Sequence, residues 1–258
     1  IDIRGNTKTK DRVIRRELAV APGEVFDMVG VKISEARLKG LQYFEKVELK
    51  PEPTDIPTRR NLLVAVQEKN TGNITLGAGF SSVDALVGFV EFSQGNFDLF
   101  HPPTFSGGGQ KFRLRLQVGT ERQDYILSFV EPWLFDRKLS LSVDLYHRDL
   151  AYQSFGGLYD ERRTGMNLGL RRTLWSDFVI GGVNYTIENV GIDLDPGLHP
   201  TRWVRESLPG RGEIIRVDPA NAPSALFAEE GNSLVLRLGV SLAWDTRNSA
   251  LLPSRGQR

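Results

Sequence analysis

Few residues in this chain have the type and spacing that chemistry requires. His101, His147 and His199 are scattered without metal-ligand spacing, and no Ser-His-Asp or His-Glu-x-x-His arrangement is present. Ser106-Gly-Gly-Gly-Gln-Lys111 has the glycines of a phosphate loop but lacks the Gly-Lys-Ser/Thr ending and leads into a strand-like run. It therefore reads as a flexible turn. Glu131 and Asp245 stand near strand ends, where a turn hydrogen bond or an ion pair accounts for them, and Asp245 with Arg247 organises a turn rather than an acid–base pair. The absence of cysteine excludes disulfides and thiolate metal sites. A net charge of +1, from 33 basic and 32 acidic residues, argues against a nucleic-acid binder. The reading is of a protein that is not an enzyme and takes no cofactor or metal.

The elements that remain divide at residues 62–81, where helices alternating with strands give way to strands alone. In residues 1–70, Ile1 and Ile3 begin a short strand that Gly5-Asn6 ends. Thr9 is placed to cap a helix from Asp11 to Leu18, with Val13, Ile14 and Leu18 inward and Arg12, Arg15 and Arg16 on a solvated face. Asp27 caps a second helix, Val29 to Gln42, whose apolar stripe is Val29, Ile33, Ala36, Leu38 and Leu41. Strands follow from Tyr43 to Pro51 and around Leu62, Val64 and Val66. The β-α-α-β-β order predicts an α+β domain in which two helices cover a three-stranded sheet.

From residue 73 to 258 the period is two. Phe112, Leu114, Leu116 and Val118 point one way, and Lys111, Arg113, Arg115 and Gln117 the other. The same alternation recurs in Ile74/Leu76/Ala78/Phe80, Leu86/Gly88/Val90/Phe92, Tyr125/Leu127/Phe129, Leu139/Leu141/Val143/Leu145, Met166/Leu168/Leu170 and Leu234 to Trp244, with a weaker strand in 178–192. That makes eight strands of about the 9–11 residues a tilted strand needs to cross a bilayer. A soluble sandwich would bury the apolar face; a membrane barrel would turn it to lipid. Connections at one end, 95–109, 132–137 and 175–177, are mostly short, and the other end carries 82–84, 121–123, 149–155 and a forty-residue insertion, 193–232. Aromatics near strand ends, Phe97, Phe100, Trp133, Phe135, Tyr146, Tyr152, Trp175, Phe178 and Trp244, fit interfacial girdles. The chain starts inside a strand-like run and stops at Ser254-Arg-Gly-Gln-Arg258 without a terminal strand, so it reads as a piece of a longer protein.

Arg4-Gly-Asn-Thr7, Val13-Ile-Arg-Arg-Glu-Leu18, Arg37-Leu38, Leu41-x-Tyr-Phe44, Val47 and Val64-x-Val-x-Glu68 resemble the membrane-proximal POTRA domain of BamA-type outer-membrane assembly factors. Leu76-Gly-Ala-Gly-Phe-Ser-Ser82 is similar to the first barrel strand of that family, Glu131-Pro-Trp-Leu-Phe135 to a motif ending the fourth, and Trp244-Asp-x-Arg247 with Pro253 and Gly256 to the turn after the eighth. The resemblance implies a periplasmic POTRA domain, 1–70, joined to the first half of an antiparallel transmembrane β-barrel, 73–258, in the outer membrane. It implies assembly of other barrels at a weak first strand, Asn73, Ile74, Thr75, Leu76, Gly77, Ala78, Gly79, Phe80 and Ser81. It implies a second, strand-adding edge at Val47, Glu48, Leu49 and Lys50. Unfolded outer-membrane proteins, accessory lipoproteins, periplasmic chaperones and lipid would be the partners. Two-partner-secretion and TamA-like pores share parts of the pattern, and the 95–109 connection is longer than the family turn. Gly77 and Gly79 either weaken the strand or admit a close neighbour.

Overall fold

A computed structural model describes residues 1–56, 58–81, 85–120, 122–152, 159–176, 178–194, 199–200, 203–208, 212–217, 221–222 and 227–245. The chain forms two compact units, one of residues 1–74, 92–113 and 129–140 and one of residues 75–91, 114–128 and 141–258.

The first 68 residues fold in the expected order: β1 (Asp2–Arg4), α1 (Asp11–Arg15), α2 (Met28–Gly40), β2 (Phe44–Pro53) and β3 (Arg60–Glu68). The sheet order is β1-β3-β2, with β1 parallel and β2 antiparallel to β3. Val13, Ile14, Val31, Leu38, Tyr43, Phe44, Val47, Leu62, Val64 and Val66 make the core.

Three local expectations are corrected. The first helix is shorter, Asp11–Arg15, and Thr9 does not cap it; Lys10 is the N-cap residue and offers no side-chain bond. Asp27 does cap α2, accepting from the amides of Val29 and Gly30. The buried side of α2 is Gly30, Val31, Ser34 and Leu38, while Val29 and Ile33 are exposed. Small residues made that face. A Cβ on Gly30 would lie 2.8 Å from Val20 Cγ1, and Ser34 Oγ donates to the Gly30 carbonyl at 2.7 Å while accepting from the Ala19 amide at 2.8 Å. A stretch packed this closely against a helix needs glycine and serine there, and an apolar periodicity cannot register them.

After residue 71 come β4 (Gly72–Ser81), β5 (Ala85–Phe97), β6 (Gln110–Gly119), β7 (Arg122–Glu131), β8 (Leu139–Tyr152), β9 (Tyr159–Thr173) and β10 (Val179–Leu194). Four short strands follow, β11 (His199–Pro200), β12 (Trp203–Leu208), β13 (Gly212–Val217) and β14 (Asn221–Ala222), and then β15 (Gly231–Trp244). The eight long strands form one sheet in chain order, from β4 at one edge to β15 at the other. The predicted strand count therefore holds. Two details change. The 193–232 insertion includes two small sheets, β11 with β14 and β12 with β13. And β8 continues to Tyr152, so the first four residues of the connection predicted at 149–155 belong to that strand, and the rest lie outside the described residues.

The seventh strand, weaker in its alternation, forms as expected and is fully paired. β10 pairs with β9 from Ile180 to Leu194 and with β15 from Val179 to Ile192. Its glycines interrupt the apolar alternation, but neighbours fill the space: a Cβ on Gly181 would meet Leu174 Cδ1 at 3.1 Å, and one on Gly182 would meet Ser241 Oγ at 2.7 Å. The registers line up Leu170, Val183 and Val240, then Leu168, Tyr185 and Leu238, then Met166, Ile187 and Leu236 on one face. Between them, Asn167, Thr186 and Arg237 stand on the other. The apolar face stays exposed even on interior strands, with Val118 52%, Leu145 44% and Val183 44% accessible. Among the described residues, no second layer of protein covers it. Burying these side chains would be worth ~25 cal/mol per Å², so a solvent other than water is the natural match for this face.

Candidate functional site

Along β4 the outward residues Ile74, Leu76 and Phe80 are 67%, 72% and 89% exposed, and among the described residues β5 is its one neighbour in the sheet. All nine residues expected to form the weak strand, Asn73 to Ser81, lie on this edge. An edge strand presents backbone amides and carbonyls that can pair with an added strand. The two glycines behave differently. A Cβ on Gly77 would sit 2.6 Å from Phe89 Cζ, inside the ring's contact surface, whereas none of the described residues comes within 4 Å of one on Gly79. The guanidinium of Arg115 covers the same ring at 4.4 Å from its centroid. Arg115 is held in turn by Glu91 at 3.5 Å and by donating to Gln117 Oε1 at 3.0 Å. At the start of the strand, the Gly95 amide donates to the Thr71 carbonyl at 3.1 Å and Gln94 Nε2 donates to Thr71 Oγ1 at 2.9 Å.

The second expected edge is Val47 to Lys50 on β2, an edge of the three-stranded sheet, in register with Val66, Ala65, Val64 and Leu63. Val47 turns into the core. Glu48 lies between Lys46 and Lys50, each 2.6 Å from a carboxylate oxygen, and these hydrogen bonds hold its carboxyl down at about 2. Asp245 donates its amide to the Phe178 carbonyl at 2.9 Å, consistent with a role in the turn; Arg247, Pro253 and Gly256 lie outside the described residues.

The glycine-rich turn that resembled a phosphate loop does something the sequence did not disclose. Gly107 accepts from the Lys10 amide at 2.9 Å and donates its own amide to the Asn96 carbonyl at 2.8 Å. Asn96, 4% exposed, donates to Thr9 Oγ1 and accepts from the Gly109 amide, both at 2.8 Å. Tyr43 and Arg16 reach the Gly109 carbonyl. Lys10 pairs with the buried carboxylate of Asp98. Across from this turn, Glu68 accepts from the amides of Thr7, Lys8 and Thr9 and from the Thr7 hydroxyl. Burial opposes its ionisation, but these donors outweigh burial and leave its carboxyl below the usual range.

Arg16 is not on a solvated face as expected. Its guanidinium lies 5.6 Å from the Trp133 ring centroid, and burial lowers its pKa; burial likewise raises that of Glu17 beside it. Burial also pushes the Tyr43 phenol up to about 12. Phe97 is no girdle residue either: it is buried among Phe105, Phe112 and Phe129. Tyr146 turns to the polar face, where its hydroxyl donates to the buried Glu188 at 3.1 Å, which Arg237 also holds at 2.8 Å. Phe100, Phe135, Trp175, Phe178 and Trp244 are exposed near strand ends. Glu131 makes the expected turn bonds, accepting from the Trp133 amide and from Gln110 Nε2. His147 bonds Thr164 Oγ1 and stacks on Tyr125, and no metal cluster occurs among the described residues.

Two family models match: the Omp85 superfamily domain over residues 105–258, and the surface antigen variable number repeat, or POTRA, over residues 1–69. The outer membrane protein assembly factor BamA of Nitratidesulfovibrio vulgaris is 31% identical over 144 residues, 56% of this chain and 17% of that protein. The chain thus spans about a sixth of that relative's length. Among solved structures, BamA from Haemophilus ducreyi lacking POTRA domains 1–3 superposes with a TM-score of 0.66 at 18% identity, covering 98% of this chain and 44% of that one. CdiB from Acinetobacter baumannii superposes at 0.50 with 14% identity, covering 93% and 41%.

Proposed function

The chain belongs to the Omp85 superfamily, and we propose that it assembles β-barrel proteins into the outer membrane. In this reading residues 1–70 are a periplasmic POTRA domain and residues 73–258 the first half of a barrel that crosses the membrane. The mechanism is strand templating. The edge of β4 that faces away from β5 offers backbone hydrogen bonds to an incoming strand, and the lipid face beside it, Ile74, Leu76 and Phe80, lets that strand enter hydrocarbon without unpaired amides. No covalent bond is made or broken, so the process needs no catalytic residue and no cofactor. β2, at Val47 to Lys50, would receive extended segments of the same substrates, or of accessory lipoproteins and periplasmic chaperones, by adding a strand at the sheet edge.

The exposed apolar face ending in an edge strand is the observation that supports this most. A pore for one secreted partner would use the polar face instead, where Arg113 and Arg115 stand. Single cysteines along Asn73 to Ser81 of the full-length protein should crosslink to a stalled barrel substrate. Crosslinks confined to Arg113 and Arg115 would sink the assembly reading and favour the pore.

A further inference from the structure

The two glycines of β4 divide it. Gly77 is covered by an aromatic ring that a methyl group would displace, and Gly79, two residues on and on the same face, is open among the described residues. The ring belongs to Phe89 of the neighbouring strand. It is not free to swing away, because Arg115 lies over it at 4.4 Å and is itself tied to Glu91 and Gln117. The stack therefore runs from the edge strand to the third strand of the sheet: glycine backbone, ring, guanidinium, carboxylate. A ring seated on a glycine protects the backbone hydrogen bonds beneath it from water and replaces the packing that glycine lacks. Glycine without such a cover leaves the strand weakened and its bonds wet.

We propose that Phe89 is a positioning residue of the seam: seated on Gly77, it pins the first part of β4 to β5 and leaves Gly79 to Ser81 as the part that moves most easily to meet an incoming strand at the edge facing away from β5. Pairing with substrate starts at the open end and stops at the ring until the ring moves. This inference rests on the assembly reading for its function, but the pinning itself does not depend on it.

The test uses full-length protein in vesicles, with amide exchange followed along β4 and substrate crosslinking measured separately from cysteines at Thr75 and Gly79. In the parent protein the β5-paired amides up to Gly77 should exchange more slowly than those from Gly79 on, and substrate should crosslink better at Gly79. Phe89→Ala should raise exchange at Ile74 to Gly77 by roughly 3- to 10-fold, the range of a specific aromatic contact, and extend crosslinks to Thr75. Phe89→Tyr should restore both. Gly77→Ala, which removes the seat rather than the ring, should give the same pattern as Phe89→Ala; Phe89→Leu serves as the gentler change should either variant not insert. Unchanged exchange at Ile74 to Gly77 in both Phe89→Leu and Gly77→Ala would overturn the pinning. An exchange effect with no substrate crosslink at any β4 position would leave the pin in place and overturn its role in assembly, so the two failures are told apart.

Discussion

A methyl group at Gly107 should unfasten the turn between β5 and β6 from the N-terminal domain. Gly107 has φ +101°, where an L-residue costs about 1–2 kcal/mol. The new Cβ would also fall on the Lys8 carbonyl, 2.8 Å from its carbon, and that is backbone, which cannot swing aside. Relief requires the turn to withdraw, giving up the Lys10 to Gly107 and Asn96 to Thr9 hydrogen bonds at about 1 kcal/mol each. Gly23 supplies the control, since its φ is +91° and nothing lies within 4 Å of its Cβ position. Gly23→Ala should therefore cost only the conformational part. The difference, about 2 kcal/mol, corresponds to roughly 30-fold in local opening. Amide exchange at Lys10 reads it directly in the full-length protein. Equal effects of the two substitutions, each on its own local amides, would refute the claim that the turn is docked by close backbone approach.

Two further outcomes are expected. Glu68, whose folded pKa lies below the usual carboxylate range, adds stability that is fully present above the unfolded value of about 4.3 and lost as pH falls through the folded one. In an NMR titration the Thr9 amide shift should move with a midpoint below about 4.3, and Glu68→Gln should abolish the transition; a midpoint at or above the unfolded value contradicts the donor network. Phe97, stacked on Phe112 at 5.0 Å and on Phe105 at 5.8 Å, should lose about 3–5 kcal/mol on truncation to Ala. Phe100, 83% exposed, should lose less than about 0.5 kcal/mol in the same urea titration; a comparable loss at both would mean that the cluster is not a packed core.

What the sequence showed was whatever large side chains reveal by period. Phe112, Leu114, Leu116 and Val118 against Lys111, Arg113 and Arg115 identified a two-faced strand, and Asp27 identified a helix start that the structure keeps. What it hid depends on small residues and on distant partners. Gly30 and Ser34 mark the buried side of α2, and Gly181 and Gly182 lie in a strand paired along almost its whole length; a hydrophobic count passes over all four. Thr9 looked like a cap because a cap is a local property. It serves Glu68 and Asn96, which lie 59 and 87 residues away, and no local rule could have found them. The run Ser106-Gly-Gly-Gly109 was the one available signal, a turn with more glycine than a simple reversal needs.

The edge strand shows how the same reasoning reaches function. At its start Thr71 takes a backbone bond from Gly95 and a side-chain bond from Gln94. Phe89 covers its middle at Gly77. At Gly79 no side chain of the described residues lies over it, and Phe80 beside it is 89% exposed. Hold on the strand therefore falls from its first residue toward its last. An edge held uniformly rigid must match a new strand along its whole length at once, whereas a graded one can adjust its loose end and add its bonds one pair at a time. Each pair added is then a step of about 1 kcal/mol per hydrogen bond, small enough to be reversed until the strand is in register.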